Sequence, residues 1–85
     1  MIFKNPRKVL NKLKWHHKYD INEAEIWYVH RGAPDDTKII SGEEVEDIGR
    51  SFMKTTSARI PFHRIFKIIY KDEEMFNRKK RKQKK

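Results

Sequence analysis

The hydrophobic positions near the start of the chain recur at the spacing of a helix. The segment "NPRKVLNKLKW" places its apolar residues on one side and its lysines on the other. Asn5 is a good N-cap residue, and Pro6 suits the first helical position because its missing N–H would be unpaired there anyway. The pattern therefore predicts a helix that begins after Asn5 and ends near Trp15 to His17. The apolar positions of this helix are Val9, Leu10 and Leu13.

The pattern then changes to the alternation of a strand. The segment "EAEIWYVHRG" is rich in β-branched and aromatic residues and is predicted to be a strand that ends at Gly32. One face would carry Ile26, Tyr28 and His30, and the other face Trp27, Val29 and Arg31. The next residues, "APDD", predict a turn because Pro34 fixes φ and the two aspartates form local hydrogen bonds. A short second strand, "TKII", follows the turn.

The segment "SGEEVEDIG" allows two interpretations. Ser41 and Glu44 have the spacing of a capping box, and Gly49 suits the end of a helix. The same residues could form one helical turn or, through Val45 and Ile48, part of a bent strand.

Two further strand patterns, "RSFMKT" and "ARIPFHRIFKIIY", flank the turn "TTSA". Pro61 has no N–H to donate to a sheet, so the second pattern must break or lie at an edge near this residue. We expect a short strand that ends by His63 and a long strand from Ile65 to Tyr70. No element is predicted for "KDEEMFN", which leads into the basic C-terminus.

These elements predict a compact α+β domain. An N-terminal helix would pack on a small, bent, mostly antiparallel sheet of four to five strands. The order of elements also permits a small barrel. We expect residues 1–77 to form a single domain and residues 78–85 to form a disordered, polybasic tail.

Composition supports one small domain. The 85 residues are 36% hydrophobic and 39% charged, which is enough for one thin core under a highly charged surface. The absence of cysteine excludes disulfides and thiolate metal sites and fits a cytoplasmic protein. No segment approaches the roughly 18–20 apolar residues of a membrane-spanning helix. We expect no membrane association.

The net charge of +9 is concentrated at the two ends of the chain. The last eight residues, "RKKRKQKK", carry seven positive charges, and the first 18 carry six more without an acid. Residues 19–77 therefore sum to about −4. A polybasic end attracts polyanions without sequence preference, and nucleic acid is the usual partner.

Two of the four histidines directly precede arginines, in "VHRGAP" and "PFHRI". A guanidinium clamps phosphate oxygens with a fixed fork of donors, while an imidazole donates or exchanges a proton. His30–Arg31 and His63–Arg64 therefore suit a phosphate group. The competing interpretation is a hydrogen-bonded histidine beside a solvated arginine on each strand.

Other kinds of site find little support. The neighbouring His16 and His17 point about 100° apart on a helix, so they do not converge on one metal ion. Three scattered glycines supply no phosphate-binding loop, and we expect neither a metal nor a cofactor. Among the aromatic residues, stacking on RNA is assigned to Tyr28, Tyr19 or Phe62. The rings assigned to the core are those of Phe3, Trp27, Phe52 and Phe66.

Three motifs, "YVHRGAPDD", "GRSFM" and "IPFHRI", resemble in this order a small, mostly archaeal family of uncharacterised proteins. That family is described as a predicted domain that recognises RNA ends with a 2′,3′-cyclic phosphate. The resemblance runs from about Val9 to Tyr70. It implies a recognition module, since some members are joined to RNA-processing domains. The positions that it implicates are His30, Arg31, Gly32, Arg50, His63 and Arg64. The chain departs from the family at "WHH", where an acidic residue often follows the tryptophan.

The resulting hypothesis is an RNA-binding module in which both His-Arg pairs meet on one terminal phosphate. Arg50 would contact a neighbouring phosphate, and Tyr28 or Phe62 would stack on the terminal base or ribose. Gly32 would adopt a positive φ or allow close backbone approach. One alternative is a small metal-independent phosphodiesterase or ribonuclease that uses the same histidines as acid and base. The other is a ribonucleoprotein adaptor in which only the basic ends bind.

Overall fold

A computed structural model describes residues 5–78 of the chain. The chain enters through a capped helix and continues through short strands, four of which directly follow a 3₁₀ turn. The helix is α1 (Pro6–Trp15), and the strands are β1 (Ala24–Val29), β2 (Thr37–Ser41), β3 (Val45–Ile48), β4 (Phe52–Thr55), β5 (Arg59–Pro61), β6 (Ile65–Tyr70) and β7 (Glu73–Asn77). The 3₁₀ turns are Ile21–Glu23, Pro34–Asp36, Gly42–Glu44 and Phe62–Arg64.

The helix forms where the sequence predicts it. The side chain of Asn5 accepts a hydrogen bond from the backbone N–H of Arg7 at 2.9 Å, and Pro6 opens the first turn. The apolar stripe is completely buried, whereas Trp15 at the C-terminal end is 70% exposed. The buried stripe consists of Val9, Leu10 and Leu13.

The larger sheet has four antiparallel strands in the order β2-β1-β6-β7. The central strand β1 pairs with β2 through Trp27 and Ile39, and with β6 through Trp27 and Lys67. A bulge then shifts the β1–β6 register, so that Tyr28 pairs with Ile65. As the alternation predicts, Ile26 and Tyr28 face the core.

The smaller sheet has three antiparallel strands in the order β3-β4-β5. Within residues 5–78 the two sheets stay separate, so the small barrel that the element order also permitted does not form. The "SGEEVEDIG" segment contains both of the structures considered for it. A 3₁₀ turn, in which the Ser41 hydroxyl accepts from the Glu43 N–H at 3.2 Å, leads directly into β3.

The α+β class, the helix and the antiparallel pairing are confirmed, but the described chain has seven strands where the sequence predicts four to five. The segment "EEMFN" is the strand β7, which pairs with β6 and buries Met75 and Phe76. Strand β1 is shorter than predicted, because it ends at Val29 and not at Gly32. No helix among residues 5–78 is long and apolar enough to cross a membrane.

Candidate functional site

The two His-Arg pairs lie at the same end of the central strand pair. Tyr28 on β1 is opposite Ile65 on β6. His30 follows Tyr28 by two residues, and Arg64 immediately precedes Ile65. Because the strands are antiparallel, the chain leaves β1 where it enters β6. His30–Arg31 directly follows the end of β1, and His63–Arg64 directly precedes β6. Both pairs therefore lie in turns and not on the faces of the strands.

The first pair is held in a closed loop between β1 and β2. The backbone N–H of His30 donates to the Asp36 carbonyl at 2.9 Å, and the Ala33 N–H donates to the His30 carbonyl at 3.2 Å. Between these bonds Gly32 adopts a φ of +91°, as the sequence predicts. The loop therefore fixes the backbone of His30 and Arg31 while their side chains remain exposed.

An open pocket of about 520 Å³ lies against this loop. Its lining residues are His30, Arg31, Gly32, Ala33, Pro34, Thr37, Lys38 and Ile39. Lys38, which the sequence reasoning did not assign to the site, adds a second cation. Its cross-strand position opposite Tyr28 is the feature that brings it here. Asp35 and Asp36 lie in the same loop, so the surroundings of the pocket carry both signs of charge.

The second pair lies in the 3₁₀ turn Phe62–Arg64, and Arg78 supports this turn from behind. One terminal nitrogen of Arg78 donates to the carbonyls of Phe62 at 3.1 Å and His63 at 3.0 Å, and also to that of Ile65. Its backbone N–H donates to the Phe66 carbonyl at 2.8 Å. The basic run at the C-terminus predicts that Arg78 belongs to the tail, whereas this residue is hydrogen-bonded to the domain. The rest of the predicted tail, residues 79–85, lies outside the described residues.

Arg50 lies in the turn between β3 and β4, next to the second pair. The backbone N–H of Phe62 donates to the Ser51 carbonyl at 3.0 Å, which ties the two turns together. From the other side, the Nε of Arg7 on α1 donates to the Gly49 carbonyl at 2.8 Å. The exposed Arg50 is therefore carried by a turn that both the helix and the second pair hold in place.

The stacking role assigned to Tyr28 and Phe62 is wrong, because both rings are in the core. Tyr28 is 6% exposed and Phe62 is 9% exposed, so neither offers a free face to a base. Tyr28 instead contacts the His30 ring edge to face at a centroid distance of 6.1 Å. Burial, and to a smaller extent the negative charge of Glu44, raise the pKa of Tyr28 above its usual 10.0. Its phenol therefore stays neutral at physiological pH and supports His30 as a packed ring.

The cations of the two pairs are free to bind a ligand. Among residues 5–78, no hydrogen bond or ion pair engages the guanidinium groups of Arg31 and Arg64. Both side chains are exposed. The same range contains no group of three or more histidine, aspartate or glutamate residues placed to hold a metal ion. The arrangement can therefore supply several hydrogen-bond donors and positive charge to an anion at this end of the sheet.

Comparison with known proteins assigns the chain to a family. The model of the MJ1316 RNA cyclic group end recognition domain matches residues 3–79. The chain belongs to this family. The matched region includes both His-Arg pairs and Arg50, and it extends beyond the Val9–Tyr70 region of resemblance. The resemblance drawn from the three motifs is thus confirmed.

Several archaeal proteins are similar to this chain over most of their length. The UPF0248 protein of Methanococcus vannielii is 42% identical over 62 residues, which are 73% of this chain and 74% of that protein. The UPF0248 protein of Archaeoglobus fulgidus is 34% identical over 70 residues, 81% of this chain and 99% of that protein. The UPF0248 protein MJ1316 of Methanocaldococcus jannaschii is 37% identical over 62 residues, 73% of this chain and 76% of that protein. No significant match was found among solved structures.

Proposed function

We propose that this chain is an RNA-binding module that recognises RNA ends carrying a 2′,3′-cyclic phosphate. The observation that carries the proposal is the pairing of Tyr28 with Ile65, which puts His30–Arg31 and His63–Arg64 at one end of the sheet. The family description, which names recognition of a cyclic group at RNA ends, supports RNA as the partner. The proposal places the module in cytoplasmic RNA processing.

In this proposal each residue has a distinct role. Arg31 and Arg64 clamp the non-bridging oxygens of the cyclic phosphate, and His30 and His63 donate N–H groups to the same anion. Gly32, whose φ is positive and whose Cα faces open space, lets the terminal ribose approach the backbone. Together these contacts would recognise both the phosphate and the five-membered ring that it forms with the ribose.

Arg50 would contact a second phosphate, one nucleotide away from the end. Its turn is tied to the Phe62–Arg64 turn by the Phe62–Ser51 hydrogen bond, so it lies beside the second pair. Lys38 would contribute from the opposite side, since it lines the pocket with His30 and Arg31. The cations thus surround the proposed position of the end group.

The test compares RNAs of one sequence with cyclic phosphate, linear phosphate or hydroxyl ends. A linear phosphate monoester carries about −1.5 to −2 at pH 7, whereas the cyclic diester carries a single charge. Simple charge attraction would therefore favour the linear end. We expect the cyclic end to bind at least about 10-fold more tightly than either of the others, the effect of one or more charge-assisted hydrogen bonds. Fluorescence anisotropy with end-labelled RNA measures this preference.

Mapping the RNA ends after incubation separates the alternatives. Recovery of intact cyclic phosphate supports binding without turnover. An opened phosphate would show that the chain is a phosphodiesterase using the same histidines. Equal affinity for the three ends would contradict end recognition and favour an adaptor that binds RNA through its basic ends.

Truncation separates the basic C-terminus from the site. Residues 79–85 carry six positive charges, and each single-strand phosphate that they neutralise adds roughly −0.7 to the slope of log affinity against log salt. Removing residues 79–85 should flatten this slope and leave the preference for the cyclic end unchanged. Removing Arg78 as well should also weaken the preference, because the Phe62–Arg64 turn and the start of β6 lose the side-chain hydrogen bonds that Arg78 donates to them. Loss of the preference in the shorter truncation would instead place the tail within the site.

A further inference from the structure

The outer face of the four-stranded sheet carries a partly exposed aromatic ring at its centre. Trp27 alternates with the buried Ile26 and Tyr28, so it projects from the face opposite the core. Its cross-strand neighbours are Ile39 on β2 and Lys67 on β6. Ile39 is 47% exposed, and the ammonium group of Lys67 lies 4.5 Å from the Trp27 ring centroid. Trp27 is predicted from the sequence to be a core ring, whereas its indole is only partly buried.

The charges on this face change sign along the strands. The cross-strand neighbours Ile39, Trp27 and Lys67 form one row, called the Trp27 row here. The next row on one side consists of Glu25, Ile69 and Glu74. Glu25 accepts a hydrogen bond from the indole N–H of Trp27 at 3.4 Å, which orients the ring. On the other side β1 runs through Val29 into the His30–Arg31 loop. The face is therefore acidic at the far end and basic at the end that carries the His-Arg pairs.

The Trp27 row is continuous with the pocket described above. Ile39, the cross-strand neighbour of Trp27, also lines the pocket with His30 and Arg31. Trp27 and Arg31, which also lines the pocket, are four residues apart, which corresponds to about 13 Å along a strand. A single nucleotide with a terminal phosphate can bridge this distance.

We propose that Trp27, with Ile39 and Lys67 on either side, is the stacking platform for the terminal base of the bound RNA. The inference rests on the proposed function, because the cyclic phosphate held by the His-Arg pairs places the base over this row. Aromatic side chains bind bases by stacking whatever the base identity, and a neighbouring cation strengthens the contact. An arriving base displaces the Lys67 ammonium from the indole, and the flexible lysine then pairs with a backbone phosphate.

Charge complementarity favours a nucleotide over an apolar protein partner. The cation in the row, Lys67, would be desolvated without compensation under an apolar surface, whereas a nucleotide brings its own phosphate to it. The carboxylates of Glu25 and Glu74 repel a phosphate at the far end of the face. The platform therefore accommodates the base nearest the RNA end and directs the rest of the strand away from the acidic row.

The test combines Trp27 variants with two RNAs that both end in a cyclic phosphate. One RNA has a normal terminal adenosine, and the other has an abasic terminal residue. We expect Trp27→Ala to weaken binding of the first RNA about 10-fold, the effect of losing one base-aromatic stack, and to leave binding of the second unchanged. Trp27→Phe should retain most of the affinity, while Trp27→Leu should not. Trp27→Phe and Trp27→Leu both keep an apolar side chain at this position. Comparing them therefore tests stacking even if Trp27→Ala fails to fold.

Trp15 provides a matched control and a clean optical signal. Like Trp27, it has a lysine over its ring, with Lys14 at 5.3 Å, but it is more exposed and lies at the end of α1. Trp15→Ala should leave both affinities unchanged. Since the chain has two tryptophans, a Trp15→Phe background makes Trp27 the sole indole, and its fluorescence should be quenched by the adenosine-ended RNA and not by the abasic one.

Four results would overturn the platform. These are an unchanged affinity in Trp27→Ala, an equal loss on both RNAs, full affinity in Trp27→Leu, and a loss in Trp15→Ala as large as in Trp27→Ala. Failure of end recognition gives a different result. The wild-type protein would then show no preference between cyclic and hydroxyl ends, whatever the Trp27 variants do.

Discussion

Gly42→Ala is expected to lower the free energy of unfolding by about 3 kcal/mol, at the upper end of the cost of overpacking a core. A Cβ at position 42 would lie 1.8 Å from the carbonyl oxygen of Ile21. Both residues belong to 3₁₀ turns, Gly42–Glu44 and Ile21–Glu23, so the clash is between two backbones and no side chain can rotate to relieve it. A small domain has a total stability of only about 5–15 kcal/mol, so the loss should be large enough to unfold much of the population on mild heating.

Urea denaturation followed by circular dichroism measures the loss, and Gly32→Ala is the matched control. Gly32 has a φ of +91°, but a Cβ there meets no atom within 4 Å. Its replacement should cost roughly 1–2 kcal/mol from backbone strain alone. Equal stability losses in the two variants would mean that the Ile21–Gly42 approach is looser than the structure shows.

The helix and most strands could be predicted because each carries a local signal that the tertiary structure does not override. Strand β7 could not, because its hairpin lacks the usual glycine. The two-residue turn before it is Lys71–Asp72, and both residues adopt positive φ, at 48° and 68°. Such turns normally contain Asn-Gly or Asp-Gly, and "YKDEE" offers neither. β7 also begins with two glutamates, which are not typical of a strand, although its Met75 and Phe76 are buried in the core.

The residues of the site were easier to predict than their arrangement. The types of residue, histidine beside arginine near turns, indicate phosphate chemistry without any structure. Their position at one end of the sheet depends on the register between β1 and β6, which includes a bulge between Trp27 and Tyr28. This register is set by contacts between residues far apart in the sequence, so no local pattern predicts it. The burial of Tyr28 was contained in the alternation itself, since Tyr28 shares a face with Ile26. The role of Arg78 was hidden by the uniform basic run in which it lies.

The arginines of the two His-Arg pairs provide the strongest test of whether the pairs act on one anion. Arg31→Gln and Arg64→Gln should each weaken binding of RNA with a cyclic phosphate end about 10- to 100-fold, because each removes charge-assisted hydrogen bonds to the phosphate. Glutamine keeps a donor and similar bulk, so the loss reports the charge and the guanidinium fork. Both variants should fold normally, since neither guanidinium has a hydrogen bond or ion pair within residues 5–78.

The double variant then decides between one site and two. If both arginines clamp the same phosphate, the removal of one leaves the anion poorly held, and the second replacement costs less than it does alone. The matched control is Arg59→Gln. Arg59 is an exposed arginine on β5, and its guanidinium lies 5.4 Å from the centroid of the Phe52 ring. With hydroxyl-ended RNA, all three single variants should show the same small loss, since only general charge attraction remains. The opposite outcome is that the two losses in affinity are additive and equally large on hydroxyl-ended RNA. Arg31 and Arg64 would then be two independent surface cations, and neither His-Arg pair would recognise the RNA end.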